Sequence, residues 1–284
     1  MPQNDGVKSQ TLSVAGVHGN TIVYDVHRPE SGPVGVVFLA HGLGEHAARY
    51  HHVAERLTDL GYLVVAPDHA GHGRSGGRRV GVKDFEDFTD DLHTVVEQTD
   101  RSVGPTFLIG HSMGGAIALK YALDHPDVLD GLVLSGPALM PGDDLPSFMV
   151  KLAPRLGKAV PWLPATALPA SAVSRDPKVV AAYEADPLVW HGKIPAGLGG
   201  TLIETMGTFP DRLPTLAVPT LAIHGGADRL ANPEGTRMLG RLAGGEDVTV
   251  KIYDGLFHEI FNEPEQDAVL RDVTDWLEAH RSVG

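Results

Sequence analysis

The strongest constraint on the fold is a series of short apolar runs that do not alternate with polar residues and are separated by helical patterns. The runs are Val34–Ala40 (VGVVFLA), Tyr62–Ala66 (YLVVA), Thr106–Ile109 (TFLI), Leu132–Leu134 (LVL), Thr220–Ile223 (TLAI) and Val248–Tyr253 (VTVKIY). Runs of this kind suit strands buried on both faces, as in a parallel sheet. Between them, Arg49–Leu60 places Val53, Leu57 and Leu60 on one side, and Phe85–Thr99 does the same with Phe85, Phe88, Leu92, Val95 and Val96. Met113–His125 is small and apolar, Pro233–Leu242 is shorter, and Gln266–His280 carries Val269, Val273, Trp276 and Leu277. Strand–helix alternation predicts an open α/β fold, a mostly parallel central sheet with helices on both faces. Upstream, residues 11–27 hold two β-rich runs around His18-Gly19-Asn20, which reads as a hairpin.

One stretch breaks the rhythm. Residues 138–212 carry prolines at 141, 146, 154, 161, 164, 169, 177, 187, 195 and 210, dense apolar residues and no strand pattern. A segment of that length is not a bare loop in a compact domain. It reads as an inserted helical cap, dividing the chain into core 1–137, cap 138–212 and core 213–284. The bland alternative is a structural subdomain with no part in substrate binding.

Composition removes several function classes. A formal net charge of -13 leaves no electrostatic footprint for nucleic acid. The absence of cysteine excludes disulfides, thiolate metal sites and a cysteine nucleophile. Residues 1–10 (MPQNDGVKSQ) are polar, so no signal peptide is expected, and no run approaches the ~18 apolar residues of a membrane span.

The chemistry is concentrated where the apolar runs end. Gly110-His111-Ser112-Met113-Gly114 matches G-x-S-x-G, directly after one run and directly before a helical pattern. A sharp strand-to-helix turn holds such a serine strained and exposed, and glycines at 110 and 114 avoid collision with the neighbouring strand and helix. A serine hydroxyl needs a base, and the base an orienting acid. Asp228 follows the Thr220–Ile223 run and His258 follows Val248–Tyr253, in the chain order Ser, acid, His. After Val34–Ala40, the loop His41-Gly42-Leu43-Gly44-Glu45-His46 offers the Leu43 N–H, which with the Met113 N–H would form an oxyanion hole. Two other readings fail on spacing. His41, Glu45 and His46 are one residue too long for H-x-x-E-H, and their glycines argue against a helix, so no metal site is expected. Gly71-His72-Gly73-Arg74-Ser75-Gly76 fits G-x-G-x-x-G but does not open into a helix, so no dinucleotide or other cofactor is expected.

The motifs HGLGEH (41–46), APDHAGHGRS (66–75), GHSMGG (110–115), HGGADRL (224–230) and the His258 segment together resemble the α/β-hydrolase fold, and more narrowly the bacterial, mycobacterial-type monoacylglycerol lipases, over about residues 10–280. The resemblance implies hydrolysis of monoacylglycerols to fatty acid and glycerol, with Ser112 as nucleophile, Asp228 as acid, His258 as base, and Leu43 and Met113 as oxyanion donors. Glu45 and Arg49 match positions that help hold the glycerol head group. A second histidine near the glycerol in mammalian members is replaced by Phe261, and the cysteines near the mammalian site are absent.

The acyl chain requires an apolar channel. Met149, Leu152 and Leu156 are expected to bind it, with Leu145, Phe148, Val160, Trp162 and Leu163 as further cap candidates; the same spacing also serves core packing. Lys151, Arg155 and Lys158 make this stretch locally basic, compatible with peripheral contact with a membrane surface, although Pro154 and Pro161 are expected to break any long helix. The expected placement is cytoplasmic, or peripheral to membrane or cell wall. The closest rival reading is a broader carboxylesterase or lysophospholipase. An aminopeptidase would need cap acids such as Glu184, Asp186 or Glu204 to hold an amine, and a non-catalytic binding protein would lack a triad member.

Overall fold

The computed structural model describes residues 8–142 and 146–281; the channel candidate Leu145 lies outside them. The chain opens with an antiparallel hairpin, β1 (Lys8–Ala15) and β2 (Thr21–Arg28), turning through Val17–Gly19. The core strands follow as β3 (Gly35–Ala40), β4 (Tyr62–Pro67), β5 (Thr106–His111), β6 (Gly131–Ser135), β9 (Thr220–Gly225) and β10 (Val248–Tyr253). One sheet takes them in the order β1-β2-β4-β3-β5-β6-β9-β10, antiparallel at β1/β2 and β2/β4 and parallel from β4 onward.

Helices α1 (His51–Asp59), α2 (Glu86–Glu97), α3 (Met113–Asp124), α8 (Pro233–Leu242) and α9 (Gln266–His280) connect or follow these strands. Alternate residues of each central strand feed opposite cores. Val36, Phe38, Leu108, Leu132 and Leu134 pack with Phe88 and Leu92 of α2, Ile117 of α3 and Leu239 of α8. Val37, Leu39, Phe107, Ile109 and Val133 pack with Val53 and Leu57 of α1 and Val273 and Leu277 of α9. A run with no polar alternation is thus a strand between two helical layers, and each fully buried side chain contributes about 1.5–3 kcal/mol. β10 differs from the others. It is an edge strand whose residues alternate between half-buried and exposed, so its apolar positions do not mark burial on both faces.

Parallel pairing puts the carboxyl ends of β3, β5, β6, β9 and β10 at one rim, with Ala40 opposite Gly110, Gly110 opposite Leu134, and Leu134 opposite Ala222. β3 lies between β4 and β5, so the sheet reverses its winding there, which opens a crevice at their carboxyl ends.

Between β6 and β9 the chain forms α4 (Ser147–Ala159), β7 (Pro164–Thr166), α5 (Pro177–Ala185), β8 (Ile194–Pro195), α6 (Ala196–Met206) and α7 (Phe209–Arg212). Two expectations fail here. The segment does contain strands, since β7 and β8 pair antiparallel as a separate small sheet. Pro154 does not break α4, which runs through it and ends at Ala159, before Val160 and Pro161.

Candidate active site

Ser112 occupies the turn between β5 and α3 with φ 55° and ψ -120°, a conformation that non-glycine residues rarely adopt and that costs on the order of 1–3 kcal/mol. The surroundings over-determine it. The Ser112 N–H donates to the Ser135 carbonyl at 3.0 Å, and the Ser112 carbonyl accepts from the N–H groups of Gly115, Ala116 and Ala138 at 2.9, 3.2 and 3.0 Å. The flanking glycines are sterically required. A Cβ at Gly110 would stand 2.3 Å from the Gly114 carbonyl oxygen, and one at Gly114 2.1 Å from that of Ala40. Met113 is the first residue of α3, so its N–H has no acceptor within the helix.

Asp228 and His258 lie on the loops after β9 and β10. The His258 Nδ1–H donates to Asp228 Oδ2 at 2.7 Å, and the other carboxylate oxygen accepts from the N–H groups of Leu230 and Ala231 at 2.7 and 3.0 Å. The Asp228 side chain is wholly buried. Burial alone would raise its pKa, but His258 and His224 hold the carboxyl well below the usual carboxylate range. Burial likewise pulls the His258 imidazole down, yet Asp228, then Glu259 and Glu45, push harder, and the net shift is upward. With Nδ1 donating to a carboxylate, the lone pair of neutral His258 sits on Nε2. Ser112 and His258 line one cavity with Gly42, Leu43, Glu45, Tyr183 and Glu259, about 20 Å³ in size, room for about one water molecule. Among the described residues the Ser112 hydroxyl makes no hydrogen bond.

The loop after β3 is tied down from several sides. The Gly42 N–H donates to Glu45 Oε1 at 2.6 Å, and His41 Nδ1–H donates to the Gly42 carbonyl at 2.8 Å while its Nε2 accepts the His69 N–H at 2.9 Å. The Gly42 carbonyl and the Leu43 N–H belong to one planar peptide, so fixing the first fixes the direction of the second. His69, His72 and His111 are held neutral by burial, with pKa values near 3, 4 and 3.

Glu45 and Arg49 are indeed at this rim, but engaged with other side chains. Arg49 forms a two-pronged pair with Glu259 at 2.7 and 2.7 Å, donates to Glu45 at 2.5 Å, and lies 4.8 Å over the Tyr183 ring. Burial disfavours its charge, but the two carboxylates more than compensate. Met149, Leu152 and Leu156 lie elsewhere. They line an apolar groove of about 420 Å³ with Leu163, Thr166 and Ile203, separate from the Ser112 cavity. Phe261 does not face the reactive cavity and is packed in the core at 2% exposure. The acids weighed for amine binding are also committed elsewhere: Asp186 to His46 at 2.9 Å and Glu204 to Lys158 at 2.8 Å, while Glu184 faces a different cavity. The G-x-G-x-x-G segment folds around the Asp68 carboxylate, which accepts from the N–H groups of Ala47 and Arg74 and the Arg74 side chain, and no helix begins until Glu86.

Sequence reasoning missed Glu259, Tyr183 and His224. Glu259 directly follows the candidate base, a signal that was present. Tyr183 reaches the rim from α5 and has no local signature. His224, four residues before Asp228, donates to the same carboxylate oxygen as His258, at 3.0 Å.

The chain is similar in sequence and fold to several known proteins. A family profile described as serine aminopeptidase, S33, matches residues 31–265. The monoacylglycerol lipase of Mycolicibacterium smegmatis is 50% identical over 270 residues, covering 94% of this chain and 96% of that protein. The monoglyceride lipase of Homo sapiens is 36% identical over 88% of this chain and 84% of its own length. Among solved structures, the monoacylglycerol lipase of Paleococcus ferrophilus superimposes with a TM-score of 0.82 at 33% identity, over 96% of this chain and 99% of that one. The chain therefore belongs to the monoacylglycerol lipase family of α/β-hydrolases.

Proposed function

We propose that the chain hydrolyses monoacylglycerols through an acyl-enzyme, with Ser112, His258 and Asp228 as the triad. The observation that carries this reading is the placement of a strained, half-buried Ser112 in one cavity with a His258 whose Nδ1–H is held by Asp228 at 2.7 Å. Ser112 Oγ attacks the ester carbonyl as His258 Nε2 takes its proton, and the carbonyl π electrons move onto oxygen. The Leu43 and Met113 N–H groups receive that oxyanion, each such donor being worth about 2.7–4 kcal/mol. Collapse expels glycerol, protonated by His258; water then attacks the acyl-enzyme by the reverse proton path.

His258 must be neutral to act, so kcat/KM rises with pH through its pKa, and that limb lies above the ordinary histidine value because the shift is upward. The carboxylates of Glu45 and Glu259 both bond to the one Arg49 guanidinium, which engages them within the protein.

The segment 138–212 acts as a cap that supplies the acyl site. α4 presents Phe148, Met149, Leu152 and Leu156 to solvent beside the exposed Lys151 and Arg155, a composition suited to peripheral contact with an anionic lipid surface. Among the described residues no helix is long and apolar enough to cross a membrane.

The test is incubation with a fluorophosphonate, read by intact mass and peptide mapping, alongside release of fatty acid from monoacylglycerol. One adduct on Ser112 and loss of about 10⁴-fold or more in activity for Ser112→Ala are expected. Full activity in Ser112→Ala would remove the nucleophile assignment.

A further inference from the structure

The Asp228 carboxylate holds two imidazoles, and the triad uses one. Oδ2 accepts from His258 Nδ1 at 2.7 Å and from His224 Nε2 at 3.0 Å. His224 is wholly buried at the end of β9, and its Nδ1 lies 2.7 Å from the hydroxyl of Thr236 on α8. Its Nε2 also faces the Ala231 carbonyl at 3.3 Å. An ionised carboxylate and a carbonyl only accept, so Nε2 must carry a proton. In the neutral ring Nδ1 is then the acceptor, and the Thr236 hydroxyl donates to it.

We propose that His224 is a positioning residue for Asp228, donating from the buried side to the oxygen that orients His258, with Thr236 setting its tautomer. The proposal rests on the triad assignment above. It has two consequences. The carboxylate cannot rotate away from His258, because all four of its contacts, two backbone N–H groups and two imidazoles, are protein donors. The second donor also disperses the negative charge that His258 feels, so His224 restrains how far Asp228 raises the base. The other groups facing His258 are the His111 ring at 4.7 Å between centroids, and Glu259 and Glu45, which share the single guanidinium of Arg49. None of them touches Asp228 by hydrogen bond among the described residues.

The test compares His224→Phe, His224→Gln, Thr236→Val and Asp228→Asn in the full chain, by thermal melt and by the pH profile of ester hydrolysis. Phenylalanine fills the space without donating. It is expected to lower kcat about ten-fold and to move the acid limb of kcat/KM upward by about 0.5 on the pH scale. Glutamine presents an N–H near the Nε2 position and is expected to restore the limb and most of kcat. Thr236→Val, which loses only the tautomer-setting hydroxyl, is expected to move the limb the same way by less, and decides the matter where His224→Phe fails to fold. A folded His224→Phe with wild-type kcat and limb overturns the proposal, as does equal damage from Phe and Gln, or an unmoved limb in Thr236→Val when Phe does not fold. Asp228→Asn separates the two readings. If it is as active as wild type, the triad assignment itself fails. If it is inactive while His224→Phe is unperturbed, the triad stands and only the role of His224 falls.

Discussion

The two helices that follow Ser112 and Pro146 are nearly the same length but are held in opposite ways. In α3, Met113 to Ala122 are all buried, and the helix is fixed against β5, β6 and β3. In α4, Phe148 is 67% and Leu152 49% exposed, and the helix packs chiefly on α6. The difference fits the role proposed for each. A nucleophile has to be placed to a fraction of an ångström, which takes close packing on every side. A helix that meets lipid, the role proposed for α4, has to keep its apolar side chains available, which close packing would forbid.

Substitutions can break or sharpen this contrast. The largest effect is expected at the rim, where Arg49→Met would leave Glu45 and Glu259 buried and unpaired. A loss of about 3–5 kcal/mol in denaturant unfolding is expected, and an unchanged midpoint would show that Arg49 is dispensable to the rim. Next is Gly114→Ala, whose methyl would stand 2.1 Å from the Ala40 carbonyl oxygen; about 1–3 kcal/mol should be lost, together with esterase activity. If the melt is unchanged, the elbow is looser than its packing implies. The smallest effect on stability is expected in α4. Leu152→Ser with Leu156→Ser should change stability by no more than about 0.5 kcal/mol. The same double variant should slow hydrolysis of micellar monoacylglycerol several-fold while a short soluble ester is turned over as before. Equal slowing on both substrates would detach α4 from lipid binding.

The same contrast explains what could be read from the residues alone. The strand–serine turn–helix unit was legible because its demands are local: an apolar run, two glycines at fixed offsets and a helix behind them. The limits of α8 and α9 were legible because helical periodicity is also local. The β7–β8 pair was not, since Pro164–Thr166 and Ile194–Pro195 are too short to show a period and meet only in three dimensions. Nor was the commitment of Arg49 to Glu259, 210 residues away in sequence, or the placement of Met149, Leu152 and Leu156 beside a groove rather than beside Ser112. Such pairs leave no mark on any window of the chain. Asp228 and His258 were found without their contacts because parallel strands deliver their trailing loops to one rim.

The 20 Å³ cavity at Ser112 is bounded by two different stretches of the 138–212 segment. Val173 accepts the Glu259 N–H at 2.8 Å, and Ser174 donates to the Asn262 carbonyl at 3.0 Å, so that side is stitched to the loop carrying the imidazole. On the other side, Leu168 faces the cavity while Thr166, two residues earlier, faces the apolar groove. The two spaces therefore meet along the chain at Thr166-Ala167-Leu168, so a shift of that short segment would be felt in both at once.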